Sequence, residues 1–353
     1  MLKEKEFKEY LVERGSSPEQ VKATLDAVKE ATEYFEANGK KLDEASVDDF
    51  KSYVQRLMDE GKNTEDTLLG LGRYIYFLDM KEVWIYFAAI LGGRNILPSI
   101  SERLEEIAGK EARDKVFSEV RAPPLGSMPA AYCEATKSLM DALEKELSPE
   151  VYFRVLAGNH HRVNPKNFEK HKKWLEELGS VDAWLKKMHS EAVAELERFL
   201  REGKVWYEQI ITPEIVEHVK GNQEVLSGRR EGEWIYNTKF PYSPKEYLEE
   251  KDPLLKRYYM CHCPLAREAV LTGEPEIPVE WCYCSAGYGK LRYDVAFGVE
   301  TEAEVLQSVF DGSDTCRFRI RIPGHIMEKY SPSGRLSPAH ALSSRLGDGP
   351  LSP

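Results

Sequence analysis

The sequence predicts an α+β protein that is helical on its N-terminal side, on three observations. Helical spacing with clear start and stop signals runs to about residue 205, short β-branched and aromatic segments begin near Trp206, and strict alternation marks Cys316 to Ile322. At 353 residues with 42% hydrophobic content, the chain exceeds one core and can fill two or three. The expected organisation is an all-helical bundle over 1–97, a helical region over 98–205, a cysteine-containing α+β unit with a β-hairpin over 206–330, and a disordered tail over 331–353. That tail is rich in Ser, Pro and Gly and has too few large apolar groups to offset the entropy of ordering.

The first helices follow from their caps. Ser17-Pro18 starts one that carries Val21, Leu25, Val28, Thr32 and Phe35 before Asn38-Gly39 stops it. Ser46 starts the next, with Val47, Phe50, Val54 and Leu57 on one face up to Gly61, and Asn63-Thr64 opens a third through Leu68, Leu71, Tyr74, Ile75 and Leu78. The Pro/Gly-rich stretch Ala122 to Pro129 reads as a loop. Helical faces resume over Ala131 to Leu147, Val151 to Leu156 and Val181 to Leu200.

The run FKEYLVERGSSPEQVKATLDAVKEATEYFEANGKKLDEASVDDFKSYVQRLMDEGKNTEDTLLGLGRYIYFL resembles the SAM-like core-binding domain of tyrosine recombinases, over about residues 4 to 80. The resemblance implies a helical bundle and, as in recombinases, a contact with DNA; docking of another protein is the related possibility. Charge opposes DNA. Residues 1–97 hold 14 Lys+Arg against 19 Asp+Glu, and the chain as a whole holds 49 against 60, a net of −11 that also gives no attraction to an anionic membrane. The recombinase catalytic set is not matched by His160-His161-Arg162 or by His325 and Tyr330.

The N-terminus reads MLKEKEFKEY, without a signal-peptide pattern, and the apolar run Val83 to Leu91 is short for a spanning helix, so a cytoplasmic protein without a transmembrane segment is expected. In a reducing cytosol, cysteines point to metal or thiol chemistry rather than to structural disulfides. Of the 6 cysteines, four form two Cys-x-Cys pairs, Cys261-His262-Cys263 and Cys282-Tyr283-Cys284. In extended segments each pair would present both sulfurs on one face, and two such pairs together would hold a thiophilic ion, with His262 as an alternate ligand. Zinc is the expected metal and an iron-sulfur cluster the alternative. Small cysteines packed in a core would be the bland explanation.

A second reading makes Cys284 a reactive thiol, catalytic in a thiol-dependent hydrolase. Cys284-Ser285-Ala286-Gly287-Tyr288-Gly289 would form a loop before a helix over Lys290 to Phe297, and amide groups at that helix start would lower the thiol's pKa. Cys133 and Cys316 read as packed thiols, with Cys316 in reserve as a ligand. Lys239, Arg257, Arg267 and Arg319 form a candidate cationic rim for a small anionic molecule, and Trp234, Tyr236, Trp281 and Tyr283 could line its pocket. His160-His161 reads as an exposed loop pair.

Three runs, Cys261 to Pro264, Trp281 to Gly287 and Gly312 to Phe318, are similar to bacterial proteins grouped with aminothiazoline carboxylate hydrolases and vinyl-reductase-type small-molecule-binding domains. The resemblance implies an α+β domain over about residues 206 to 323, with a ligand pocket and metal-binding cysteines. It supplies no catalytic set that maps onto this chain.

Overall fold

Capping decides where the N-terminal helices begin. The computed structural model describes residues 3–330; the tail expected to be disordered, 331–353, lies outside them. After α1 (Glu4–Glu13), Ser17 and Gln20 close a capping box at the start of α2 (Pro18–Ala37), and Ser46 with Asp49 does the same for α3 (Val47–Asp59). Thr64 caps α4 (Glu65–Phe77), and α5 (Lys81–Gly92) follows. Their apolar faces meet in a first core around Phe7, Val28, Phe35, Phe50, Leu71 and Phe87.

The middle region holds α6 (Ile96–Ala108), α7 (Lys110–Ser118), α8 (Cys133–Glu146), α9 (Pro149–Leu156), α10 (Glu169–Leu178) and α11 (Val181–Glu202). With α5, α6 makes an apolar stretch, Lys81–Ala108, that by length and composition could cross a membrane, which the shorter run considered from sequence could not. Half of its most apolar 18-residue window is buried: α5 contributes Val83, Phe87 and Ile90 to the first core, and α6 contributes Ile96, Ile100 and Leu104 to the second.

Beyond α11 come a short hairpin, β1 (Val205–Trp206) and β2 (Gln209–Ile210), then α12 (Pro213–Lys220), β3 (Arg229–Glu231) and β4 (Trp234–Thr238). The chain continues through α13 (Pro244–Glu249), α14 (Pro253–Met260), α15 (Glu268–Thr272), α16 (Tyr283–Phe297), β5 (Ala303–Gln307), β6 (Arg317–Arg321) and α17 (Gly324–Tyr330). The structure is 64% helix and 7% strand, an α+β arrangement with a helical N-terminal side.

The main sheet has strand order β3-β4-β6-β5, antiparallel throughout. The expected hairpin is β5–β6, and a one-turn 3-10 helix (Val309–Asp311) lengthens its connection. Strand parity sends Ile235 and Asn237 of β4 and Phe318 and Ile320 of β6 inward.

The expected boundary at 205/206 does not separate cores. Leu104, Leu139 and Leu156 pack with Leu265, Trp281 and Cys284, while Trp184 and Leu185 pack with Tyr293, Phe318 and Ile320. The reason is α16, which lies between the sheet and the middle helices. Its Gly287 lies so close to Ala157 and Gly158 that an added Cβ would sit 2.5 Å from their backbone atoms. Gly287 and Gly289 therefore serve packing within a helix rather than a loop before one.

Candidate thiol-lined site around Lys239

Strand parity also aims the central residue of the site. Lys239 follows β4 in the same inward series as Ile235 and Asn237, and its N–H donates to the Cys316 carbonyl at 2.9 Å, which extends the ladder by one bond. Its Nζ reaches Ser285 Oγ in the first turns of α16 at 2.6 Å. Among the described residues no carboxylate pairs with this half-buried ammonium.

Five cysteines gather here from three segments. Cys261 caps the C-terminus of α14, with Cys263 two residues on; Cys282 and Cys284 flank the first residue of α16; Cys316 precedes β6. Cys263 is close enough to oppose ionisation of Cys261, Cys282, Cys284 and Cys316, and of Cys133 from α8. All six are free thiols; Cys263 and Cys282 are half-buried and the others buried.

The predicted geometry of the two Cys-x-Cys pairs is not what forms. An extended segment was expected around Cys282 and Cys284, but a 3-10 turn, Val279–Cys282, runs directly into α16, which starts at Tyr283 and not near Lys290. On a helix, positions i and i+2 diverge, so Cys282 and Cys284 point apart. Cys282 Sγ lies 3.1 Å from Ser308 Oγ, and Cys284 enters the core beside Trp281. His262, the alternate ligand, engages the Phe240 carbonyl through Nε2 at 2.7 Å. Among the described residues no three His, Cys, Asp or Glu side chains converge as a ligand set.

Burial also works against the expected activation of Cys284, although α16 starts at Tyr283 and so holds it in a helical first turn. Burial pushes its thiol up, Cys263 adds to that, and Lys239 opposes both without prevailing. Cys263 is raised too, by burial, yet it has the most stabilising contacts: the Trp281 indole N–H at 3.1 Å, the amides of Leu265 and Ala266, and Lys239. The pattern of alternating apolar and polar residues gives no sign of that indole donor.

His160 and His161 are not an exposed pair. His160 is fully buried between Ser99 Oγ and the Val155 carbonyl, and burial lowers it to about 4. His161 is half-buried against Tyr288 with ring centroids 5.0 Å apart, and burial, then Lys239, lowers it to about 4. His262 falls to about 3 through burial and then Lys239. Both imidazoles at the site are thus neutral near pH 7.

The cationic rim divides. Arg267 stays near the site, its guanidinium 4.0 Å over the Tyr242 ring, and Tyr242 in turn meets His262 edge-on at 5.4 Å. Glu208, at the tip of the β1–β2 hairpin, bonds to Tyr242 and is raised by burial; sequence reasoning missed both residues. Arg257 instead reaches the Gly312 carbonyl at 3.4 Å. Arg319 is paired with Glu304 at 2.6 Å on the opposite face of the sheet, over Trp234 at 4.0 Å, because β6 turns its odd-numbered residues outward. Trp234 and Tyr236 consequently lie under arginines on the outer face of the sheet, while Tyr283 stacks on Phe153 at 4.3 Å.

A family model described as a family of unknown function (DUF6144) matches residues 244–327, a span that contains both Cys-x-Cys pairs, α16 and the β5–β6 hairpin. No curated protein and no solved structure matches the chain.

Proposed function

We propose that residues 206–330 form a small-molecule-binding unit whose site is the recess around Lys239, and that its ligand is a small anion of the carboxylate or phosphate class. One observation carries this reading: an inward ammonium without a counter-carboxylate, set among thiols that burial keeps protonated and imidazoles that burial keeps neutral. A half-buried cation with no opposite charge beside it among the described residues attracts a ligand that supplies one. Arg267 and Ser285 offer further donors. Calorimetric titration with acetate and with inorganic phosphate tests it: Lys239→Gln should weaken binding of one of them at least ~10-fold. Equal affinity in both proteins, or no binding of either anion to the wild type, removes the reading.

A thiophilic metal, zinc before an iron-sulfur cluster, is the second reading, favoured by five thiols drawn from three segments. Cys261, Cys263, Cys282, Cys284 and Cys316 would have to close around the ion, with Lys239 displaced and each bound thiol deprotonated. Metal analysis decides it: purified wild type and a Cys263→Ser, Cys282→Ser double variant with the same negligible zinc and iron would end it.

For α1 to α5, the helix order supports the likeness to a SAM-like core-binding domain, and the acidic balance of residues 1–97 favours docking of a protein over DNA. A cytoplasmic location completes the reading.

A further inference from the structure

We propose that Cys263 is the nucleophile of this recess, the cysteine of the six that forms a covalent bond to a small electrophile carrying a carboxylate. The inference rests on the anion reading for the ligand's charge, and on independent geometry for the choice of sulfur.

Access narrows the six to two, since Cys133, Cys261, Cys284 and Cys316 are buried while Cys263 and Cys282 are half-buried. Hydrogen bonding separates these two. Cys282 faces the Ser308 hydroxyl, which can accept as readily as donate. Cys263 faces the indole N–H of Trp281, which can only donate, at 3.1 Å. The chain turns immediately after Cys263, whose own carbonyl accepts from Arg267 N–H at 2.9 Å and from Ala266 N–H at 3.4 Å, so the Leu265 and Ala266 amides lie close to the sulfur. Developing negative charge on this sulfur therefore meets fixed donors that need not reorganise.

The surroundings hold these parts in place. The end of α5 abuts the same turn so closely that a Cβ on Gly93 would lie 2.3 Å from Leu265 Cδ1. Lys239 is near enough to favour the thiolate of Cys263 and to draw an anion toward it.

In the step, Cys263 gives its proton to bulk water and Sγ attacks the carbon that bears the leaving group. The S–C bond forms as the carbon–leaving-group bond breaks, and that bond's electron pair departs with the leaving group. With iodoacetate the products are carboxymethyl-Cys263 and iodide, and no oxidant is needed.

Iodoacetate and its neutral counterpart iodoacetamide, applied separately to the full chain at mildly alkaline pH and mapped by peptide mass spectrometry, test both halves. Cys263 is expected to be labelled first by either reagent. Its iodoacetate-to-iodoacetamide rate ratio should exceed that of the same cysteine in the denatured chain at least ~5-fold. Lys239→Gln should return the ratio to the denatured value with Cys263 still first, and Trp281→Phe should slow Cys263 with both reagents. As Trp281 is a core residue, the Lys239 variant keeps the test decisive if Trp281→Phe does not fold. First labelling at Cys282 or any other cysteine, or none in the native protein, overturns the nucleophile even if calorimetry upholds the anion site. First labelling at Cys263 with a ratio unmoved by Lys239→Gln upholds the nucleophile and overturns the anion.

Discussion

Lys239 Nζ donates to Ser285 Oγ at 2.6 Å, a bond that ties the end of β4 to the first turns of α16. With the bond from Tyr293 Oη to Asn237 Oδ1, at 2.8 Å, it links the sheet to the helix that delivers Cys284. Ser285→Ala removes an acceptor and leaves the ammonium in place, so anion affinity should fall about fivefold, the worth of roughly 1 kcal/mol of lost positioning. Titration of Ser285→Ala with the anion that binds the wild type measures this; an affinity like that of Lys239→Gln would mean the serine itself holds the ligand.

Gly287→Ala should cost about 3 kcal/mol or more, because the new methyl meets backbone at 2.5 Å and neither Ala157 nor Gly158 can swing aside. Gly298→Ala is the comparison. Gly298 has open space around it and a φ of +72°, so the loss there is backbone strain alone, about 1 kcal/mol. Urea midpoints of the two variants should fall in that order.

Acid should unfold the protein through its histidines. Burial lowers His160 and His161 to about 4, and His171 and His262 to about 3. Each is depressed below its unfolded value near 6.5, so the unfolded chain binds more protons as pH falls. The stabilising contribution is complete above that value and is lost progressively as pH drops toward the folded values. The loss reaches about 1.4 kcal/mol per histidine by pH 5.5. Urea titrations between pH 7 and 5 should show this slope, and His160→Gln should flatten it.

Glu224 should show the price of a broken buried pair. The residue is 8% exposed and accepts from Arg317 Nε at 2.7 Å, Arg317 Nη2 at 2.8 Å and Thr238 Oγ1 at 2.9 Å. Burial raises its pKa, but Arg317 and Thr238 together prevail, and the net shift is down. This carboxylate therefore stabilises the fold above the ordinary carboxylate range, and the contribution is lost as pH falls through its lowered folded value. Glu224→Gln should cost about 2 kcal/mol at neutral pH, read from the urea midpoint.

Local signals in the chain were enough for the capped N-terminal helices and for the two faces of β6. Ser17, Ser46 and Thr64 cap where they were expected to, since a cap depends on residues within one turn. Alternation from Cys316 to Ile322 identified the inward and outward faces of β6, because side-chain direction repeats every two residues. The same local rule erred around Cys282 and Cys284, where Trp, Tyr and Cys fit an extended segment by composition but the fold needs a helix whose Gly287 approaches the end of α9.

By itself, then, the sequence determined the helical N-terminal side, the α+β texture beyond Trp206 and the presence of an unusual thiol concentration. Only the tertiary structure decided which side chains share a site. Lys239 lies 22 residues before Cys261, and His161 lies far upstream of both. They meet because α16 packs between the sheet and the middle helices, a contact set by shape rather than by any local pattern. The same packing desolvates the thiols and imidazoles, so the charge state of the site belongs to the fold and not to the motifs.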